Sequence, residues 1–405
     1  MSELISTIIP ELNQEVKIYP FDAKHILVEC NNHQLKLKRD FEILIGLVNG
    51  TNTIKQITEQ NNKTSSQKIT SEFLHKLLFK ELAPYGIIKS DAPIKVRERS
   101  LHLRLSFIFW KGKSLDAIGR VLAFLFNPFP FYLSFVLMSV FTIGLVFYYK
   151  GKILGNAPLN VTNIFLFTIF SFTILILHEL GHTAACNKFG AKHKGIGFGF
   201  YLLSPVFFAD VSDTWKLCKQ ERIIVNLAGI YIEFIVATFL GLLFLFFHNP
   251  LLYYVNIAIL IHIAINLNPF LKYDGYWILS DLTNVTNLRS QSTQFMKDAL
   301  NIKKLKRFST KEIMLSFYAL ISYFSIGLFL FFALVSDKQA IIYFPMKIIK
   351  CLINIKNIHY FFEVNFFEKL LKNSIPFIFY FFLGNLLYNT FKTYLNNKKN
   401  LLYEK

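Results

Sequence analysis

The stretch ILILHELGHTAACNKFG sets His178, Glu179 and His182 in the pattern His-Glu-x-x-His. On a helix, positions i and i+4 lie one turn apart on one face, so the imidazoles of His178 and His182 can reach one Zn²⁺ at about 2.0–2.1 Å. Glu179 stands beside them. It is too close in sequence to be a comfortable third ligand, but well placed to take a proton from water at the metal. Gly181 leaves the helix surface bare, so that another segment can approach. The plain alternative is a pair of histidines satisfied by hydrogen bonds at a membrane interface.

A zinc site of this class needs a third protein ligand and an open fourth position. Carboxylates near the apolar stretches are few, and the segment INLNPFLKYDGYWILSD supplies Asp274 in a Pro-containing, helix-breaking run that ends in Asp-Gly. One Zn²⁺ per chain, held by His178, His182 and Asp274, is the expected cofactor. Two further residues stand out against their surroundings. Glu233 interrupts an otherwise charge-free run, and an ionisable group there is costly enough to suggest a role, such as lining a water path to the metal. The competing reading is a hydrogen-bonded helix-contact residue. His262 is a candidate partner behind the metal ligands, or a neutral histidine satisfied by a neighbouring helix.

The elements that must position these groups are apolar. Of 405 residues 53% are hydrophobic and only 17% charged, against about 25% charged in an ordinary soluble domain. Runs long enough to cross a bilayer, about 20 residues each, lie at 121–149, 153–177, 223–247, 251–271 and 313–335, with a shorter one at 374–391. The expected fold is a polytopic α-helical membrane protein of about six transmembrane helices, with a small N-terminal α+β winged-helix-like domain. The second and fourth spans run in the same direction, which brings His178, His182 and Asp274 out on one side of the membrane.

The formal charge of +18 could suggest nucleic acid. However, residues 1–90 carry 11 Lys/Arg against 10 Asp/Glu, so the basicity belongs to the apolar remainder. No nucleic-acid partner is expected. The lipid bilayer is the expected partner of the excess. Basic loops at 91–120, 178–222 and 272–312 favour a cytosolic N-terminus, whereas six lysines within 337–372 fit that orientation poorly. The four cysteines show no Cys-x-x-Cys spacing and imply neither a disulfide framework nor a zinc knuckle. The first residues, MSELISTIIPELNQEV, lack the basic and long apolar regions of a cleaved signal peptide.

The domain plan is therefore 1–90 as a cytosolic recognition domain, 91–120 as a basic membrane-surface linker, 121–391 as the membrane domain, and 392–405 as a basic tail. Within 1–90, strand-like pieces at 15–19, 25–30 and 34–37 precede helical patterns at 41–48, 53–60 and 66–82. Asp40 is a candidate cap for the first helix, and a closing strand is expected near 86–89. The glycine-rich, alternating stretch 195–215 reads as a hairpin rather than a span. Its Asp210 and Asp213 read as loop carboxylates.

His178, Glu179 and His182 together with Asn266, Pro269, Asp274 and Gly275 resemble the site-2 protease family of intramembrane zinc metallopeptidases. That family joins a His-Glu-x-x-His helix to an Asn-x-x-Pro-x-x-Pro-x-Asp-Gly segment. Lys272 stands where the family has its second proline, which puts the local loop shape in question. The resemblance covers roughly residues 120 to 290. It implies that Asp274 completes the metal site, that Glu179 is the catalytic base, and that Asn266, with Asn268 as the lesser candidate, holds the substrate carbonyl. It also implies that the 195–215 hairpin receives substrate as an added strand.

Residues 34–60 and the Asp-Gly-Tyr-Trp variant resemble the branch found beside genes for ribosomally made, modified peptides, whose leader-recognition module is a small winged helix. The implied partner is a precursor or leader peptide, in the bacterial cytoplasmic (inner) membrane. The alternatives are a regulatory protease cutting a membrane-bound signalling protein, and a non-catalytic immunity or export component. A generic adaptor role for residues 1–90 also stays open.

Overall fold

A computed structural model describes residues 5–336 apart from 23, 32, 65–67, 92, 95–102, 151–160, 202–203 and 300–308, with isolated positions as far as 384. The chain divides into two units, Met1–Val285 and Thr286–Lys405.

The first unit begins with an antiparallel meander of β1 (Lys17–Asp22), β2 (His25–Cys30) and β3 (His33–Lys38). Alternation directs Ile26, Val28 and Cys30 to one face. There they meet Leu44 and Ile45 of α1 (Asp40–Leu47), Ile54 and Ile57 of α2 (Ile54–Thr64), and Leu74 of α3 (Ser71–His75). The chain continues from α3 through a wider π-type stretch, Lys76–Leu82, which adds Leu78 and Leu82 to the same core. Thr53 and Gln56 exchange side-chain and backbone bonds at the start of α2 (2.9 and 3.3 Å), a reciprocal cap that satisfies two amides the helix cannot.

Two local expectations change. Asp40 is the first helical residue rather than a cap, and Arg39 before it makes no side-chain capping bond. The closing strand is reduced to a single bridge, Leu12 to Ile88.

After the segment 95–102 comes β4 (Leu103–Trp110), which joins β5 (Ile196–Tyr201) and β6 (Ser204–Ala209) in a second antiparallel sheet of order β4-β5-β6. The expected surface linker is thus partly a strand. Leu105, Phe107 and Phe109, at alternate positions, are all exposed, and this period of two was the strand signal. The 195–215 hairpin is present as β5–β6, with register Ile196 to Ala209 through Tyr201 to Ser204.

Among the described residues three helices are long and apolar enough to cross a membrane: α5 (Pro128–Tyr149), α6 (Val161–Phe189) and α7 (Lys219–Phe247). They differ from the expected spans in physically simple ways. The first starts at Pro128 instead of 121, because proline fits the first helical turn and disfavours helix before it. The preceding α4 (Lys113–Leu122) is a separate helix. The second continues past 177 to Phe189, so that the histidine pair lies inside an unbroken helix. The fourth is the 17-residue α8 (Pro250–Asn266), capped by the Asn249 side chain on the Leu251 amide at 3.0 Å and stopped before Pro269. After it, α9 (Asp274–Thr283) packs against α7.

Half of the most apolar window of α7 is buried inside the protein, against 17% for α5 and 11% for α6, which makes α7 the central helix. Its Ile230, Phe234, Ala237 and Leu240 pack with Val255, Ile259 and Ile263 of α8, and Ile224, Val225 and Ala228 pack with Ala184 and Ala185 of α6. Tyr231 accepts or donates a 2.7 Å hydrogen bond with Ser134 of α5. In the second unit, α10 (Leu288–Ala299) packs against α11 (Thr310–Ser336), which covers the expected span at 313–335. Residues 153–160 of the expected second span and nearly all of 374–391 lie outside the described residues.

Candidate metal centre

Three side chains converge where α6 crosses α7 and meets the start of α9. The Nε2 atoms of His178 and His182 are 3.2 Å apart, and they lie 3.0 and 3.5 Å from Oδ2 of Asp274. Ligands about 2.0–2.1 Å from a tetrahedral zinc stand about 3.3–3.4 Å from one another, so the spacing matches such an ion without rearrangement. The donor chemistry agrees with the spacing. Nδ1 of His182 donates to the carbonyl oxygen of Val225 at 2.7 Å, which leaves the Nε2 lone pair facing the other two groups. Among the described residues Oδ2 of Asp274 is buried with only the two imidazole Nε2 atoms beside it and no hydrogen bond of good geometry, and a buried carboxylate oxygen in that condition suits a cation.

The local sequence makes this approach possible. A Cβ added to Gly229 would stand 2.4 Å from Nε2 of His178 and 2.6 Å from two ring carbons, so α7 makes room for the imidazole only by lacking a side chain there. A Cβ on Gly275 would meet the Leu267 carbonyl at 2.2 Å, so the Asp274-Gly275 pair lets the start of α9 close onto the end of α8. Gly181 does what its position suggested: the Ala228 backbone of α7 fills its place, 2.6 Å from where a Cβ would be.

Behind His178, Nδ1 faces Oε1 of Glu233 at 3.3 Å, and the same oxygen is in close contact with Nδ1 of His262. Glu233 is completely buried. Asn266 in turn directs its amide nitrogen at the His262 ring, 3.1 and 3.3 Å from its two nitrogens. His178 therefore belongs to two groups: one with His182 and Asp274, the other with Glu233 and His262.

Glu179 lies outside both groups. The peptide of Ala209, at the end of β6, lies against its carboxylate. Asn268 is not brought to the site, because its side-chain oxygen closes a turn on the Phe270 amide at 2.9 Å. Asp210 is a loop carboxylate, accepting from the Ser212 amide at 3.2 Å, whereas Asp213 lies in a short 3-10 helix, Ser212–Lys216, and accepts from the Lys192 amide at 2.9 Å.

A second polar node links α7 to α9, the helix that begins with Asp274. Nε of Arg222, on α7, donates to Oδ1 of Asp281 on α9 at 2.7 Å. Asn226 donates to the other oxygen at 2.9 Å, and Arg222 also reaches the Leu217 carbonyl at 2.9 Å. Burial pushes the Asp281 carboxyl up from the usual carboxylate range although Arg222, Asn226 and Lys219 pull it down. Trp215, Arg222, Asn226, Trp277 and Asp281 face Phe208 and Ala209 across an open cleft of about 940 Å³. Sequence reasoning missed Val225, Gly229, Arg222 and Asp281. The visible signal was a short cluster of Arg, Asn and Gly at the start of an apolar helix.

Comparison with known proteins adds an independent line. The chain is 33% identical over 114 residues to YydH of Bacillus subtilis (strain 168), which bears the name of a peptide zinc metalloprotease; the match takes in 27% of this chain and 45% of that protein. It is 29% identical over 224 residues to the zinc metalloprotease MJ0392 of Methanocaldococcus jannaschii, covering 53% of this chain and 58% of the relative. The chain thus spans about half the length of the curated relatives it matches. No family model matches the chain, and no solved structure matches it.

Proposed function

We propose that this chain is a membrane-embedded zinc endopeptidase of the site-2 type, with His178, His182 and Asp274 holding one zinc ion and Glu179 acting as general base. The observation that carries the reading is the convergence of two imidazole nitrogens and a carboxylate oxygen within 3.0–3.5 Å, where Oδ2 of Asp274 makes no hydrogen bond of good geometry among the described residues. The names of the two relatives point the same way. When bound, zinc supplies Lewis acidity that polarises a peptide carbonyl and lowers the pKa of water.

The protein's own residues do the rest. Val225 holds the His182 imidazole through a hydrogen bond to its Nδ1, and the Glu233 carboxylate faces Nδ1 of His178 at ion-pair distance, 3.3 Å. Glu179 takes a proton from the attacking water and returns it to the departing amine. Of the two asparagines, Asn266 is the one near the centre, in contact with His262. Enclosure by α6, α7 and α8 restricts cleavage to a segment that can enter unfolded, and the cleft along β6 is its route to Glu179.

The substrate in this proposal is a ribosomally made precursor peptide whose leader is recognised by residues 1–90, and the setting is a bacterial cytoplasmic membrane with the N-terminus cytosolic. The support is the N-terminal module of three strands and three helices, together with the lysines and arginines of the segments 91–120, 178–222 and 272–312. The test is purification of the full chain in detergent with metal analysis and a peptide-cleavage assay. One zinc per chain, lost in Asp274→Ala, and cleavage abolished by a chelator and restored by zinc are the expected results. A chain that binds no zinc and cuts with chelator present would overturn the reading.

A further inference from the structure

We infer that Phe21, in the N-terminal module, is a positioning residue for the metal centre: it braces the Arg222–Asp281 pair, and through that pair the ligands Asp274 and His182. The inference rests on the metal-site reading above. Phe21 stands near the end of β1 and is 5% exposed, yet it is absent from the cluster that fills the core between that sheet and its helices. What covers it comes largely from the membrane part. The Arg222 guanidinium carbon lies 4.4 Å from the ring centroid, and the Trp215 ring stacks on it at 6.0 Å and 22°. Lys36 of β3 adds its ammonium at 4.2 Å. An aromatic face takes cations well, and does so best when they are withdrawn from water.

Beside this contact Lys216 bonds Glu29 of β2 at 2.7 Å, pairs with Asp213 and sits 5.1 Å over the Tyr19 ring. Burial works against the Lys216 ammonium, and the two carboxylates more than offset it, which leaves its pKa above the ordinary lysine value. The module is thus fastened to the segment that leads into α7 by an aromatic contact and by an ion pair.

The fastening point is one step from two ligands. Arg222 and Asn226 grip both oxygens of Asp281. Asp281 is seven residues along α9 from Asp274, about two turns of a stiff helix, so a shift at Asp281 moves the carboxylate that closes the metal site. Asn226 follows Val225, whose carbonyl orients His182. Trp215 and Arg222 also wall the cleft that leads toward Glu179. Undocking of Phe21 removes the ring that packs on Trp215 and lies under the Arg222 guanidinium, and leaves the core around Ile26 and Val28, to which Phe21 does not belong, in place.

The test uses the full chain in detergent micelles with Co²⁺ as the metal, read by its ligand-field absorption and by competition with a chelator. Phe21→Ala is expected to weaken Co²⁺ binding by about tenfold, the lower end of the range for loss of a ligand's supporting partner, and to alter the absorption bands. Phe21→Tyr, which keeps the ring, is expected to bind as the natural chain does. Hydrogen exchange in β2 and β3 should be unchanged in both.

Equal Co²⁺ affinity in Phe21→Ala would overturn the inference and leave the metal site standing. Equal weakening by alanine and tyrosine, or loss of exchange protection in β2 and β3, would also overturn it. Failure of the natural chain to take up cobalt would instead sink the metal-site reading along with it.

Discussion

Oε1 of Glu233 lies 3.3 Å from Nδ1 of His178 and in close contact with Nδ1 of His262, so that one fully buried carboxylate on α7 joins a helix α6 imidazole to a helix α8 imidazole. A carboxylate buried this fully is costly unless it is paired, and among the described residues its Oε1 is paired with these two rings. The arrangement resembles the carboxylate–histidine pairs that fix ring orientation and basicity at metal sites.

Removal of that carboxylate should therefore be felt by the metal. Glu233→Gln keeps an acceptor oxygen and should weaken zinc binding by about tenfold, and Glu233→Ala by about a hundredfold, as measured by competition with a chromophoric chelator. Unchanged affinity in the alanine variant would show that His178 is oriented by something else.

Gly229 offers a steric test of the same ring. Its added Cβ would stand 2.4 Å from Nε2 of His178, so Gly229→Ala should displace the imidazole and abolish stoichiometric zinc with the helices intact by circular dichroism. Gly144→Ala on α5 is the control, because no described residue lies within 4 Å of its added Cβ. It should keep full zinc and leave thermal stability unchanged or raised by about 0.5–1 kcal/mol. Full zinc in Gly229→Ala would show that the ring has room the geometry denies it.

How much of this was open to sequence reasoning follows from the range over which each signal acts. His178 and His182 are one helical turn apart, and Asp274-Gly275 lies in a helix-breaking run, so both halves of the centre were legible. Their meeting was not, because it depends on where α7 places Ala228 and Gly229 against α6. Glu233 was visible as a charge in an apolar run, but its two partners come from other helices. That the segment 91–120 contains the strand β4 was not legible, because its partner β5 lies more than eighty residues later. Span ends fared poorly where hydropathy runs through a helix break, as at Asn127-Pro128.

Arg222 and Asp281 test the brace between α7 and α9. Both are buried, so Arg222→Ala leaves a carboxylate without its cation and should destabilise the protein by about 3–5 kcal/mol. Replacing both with apolar side chains of similar size, Arg222→Met with Asp281→Leu, should recover most of that loss. Thermal unfolding in detergent measures both, and a double variant no better than the single would count against the pair as the cause.

Glu179→Gln addresses the central claim most directly, because it alters the proposed base without touching a ligand. The full chain carrying it should hold one zinc, equal to the natural protein by metal analysis, and cleave a susceptible precursor peptide more slowly by about 10²–10⁴-fold, the usual contribution of general-base catalysis. Cleavage at the natural rate with zinc bound would contradict the account.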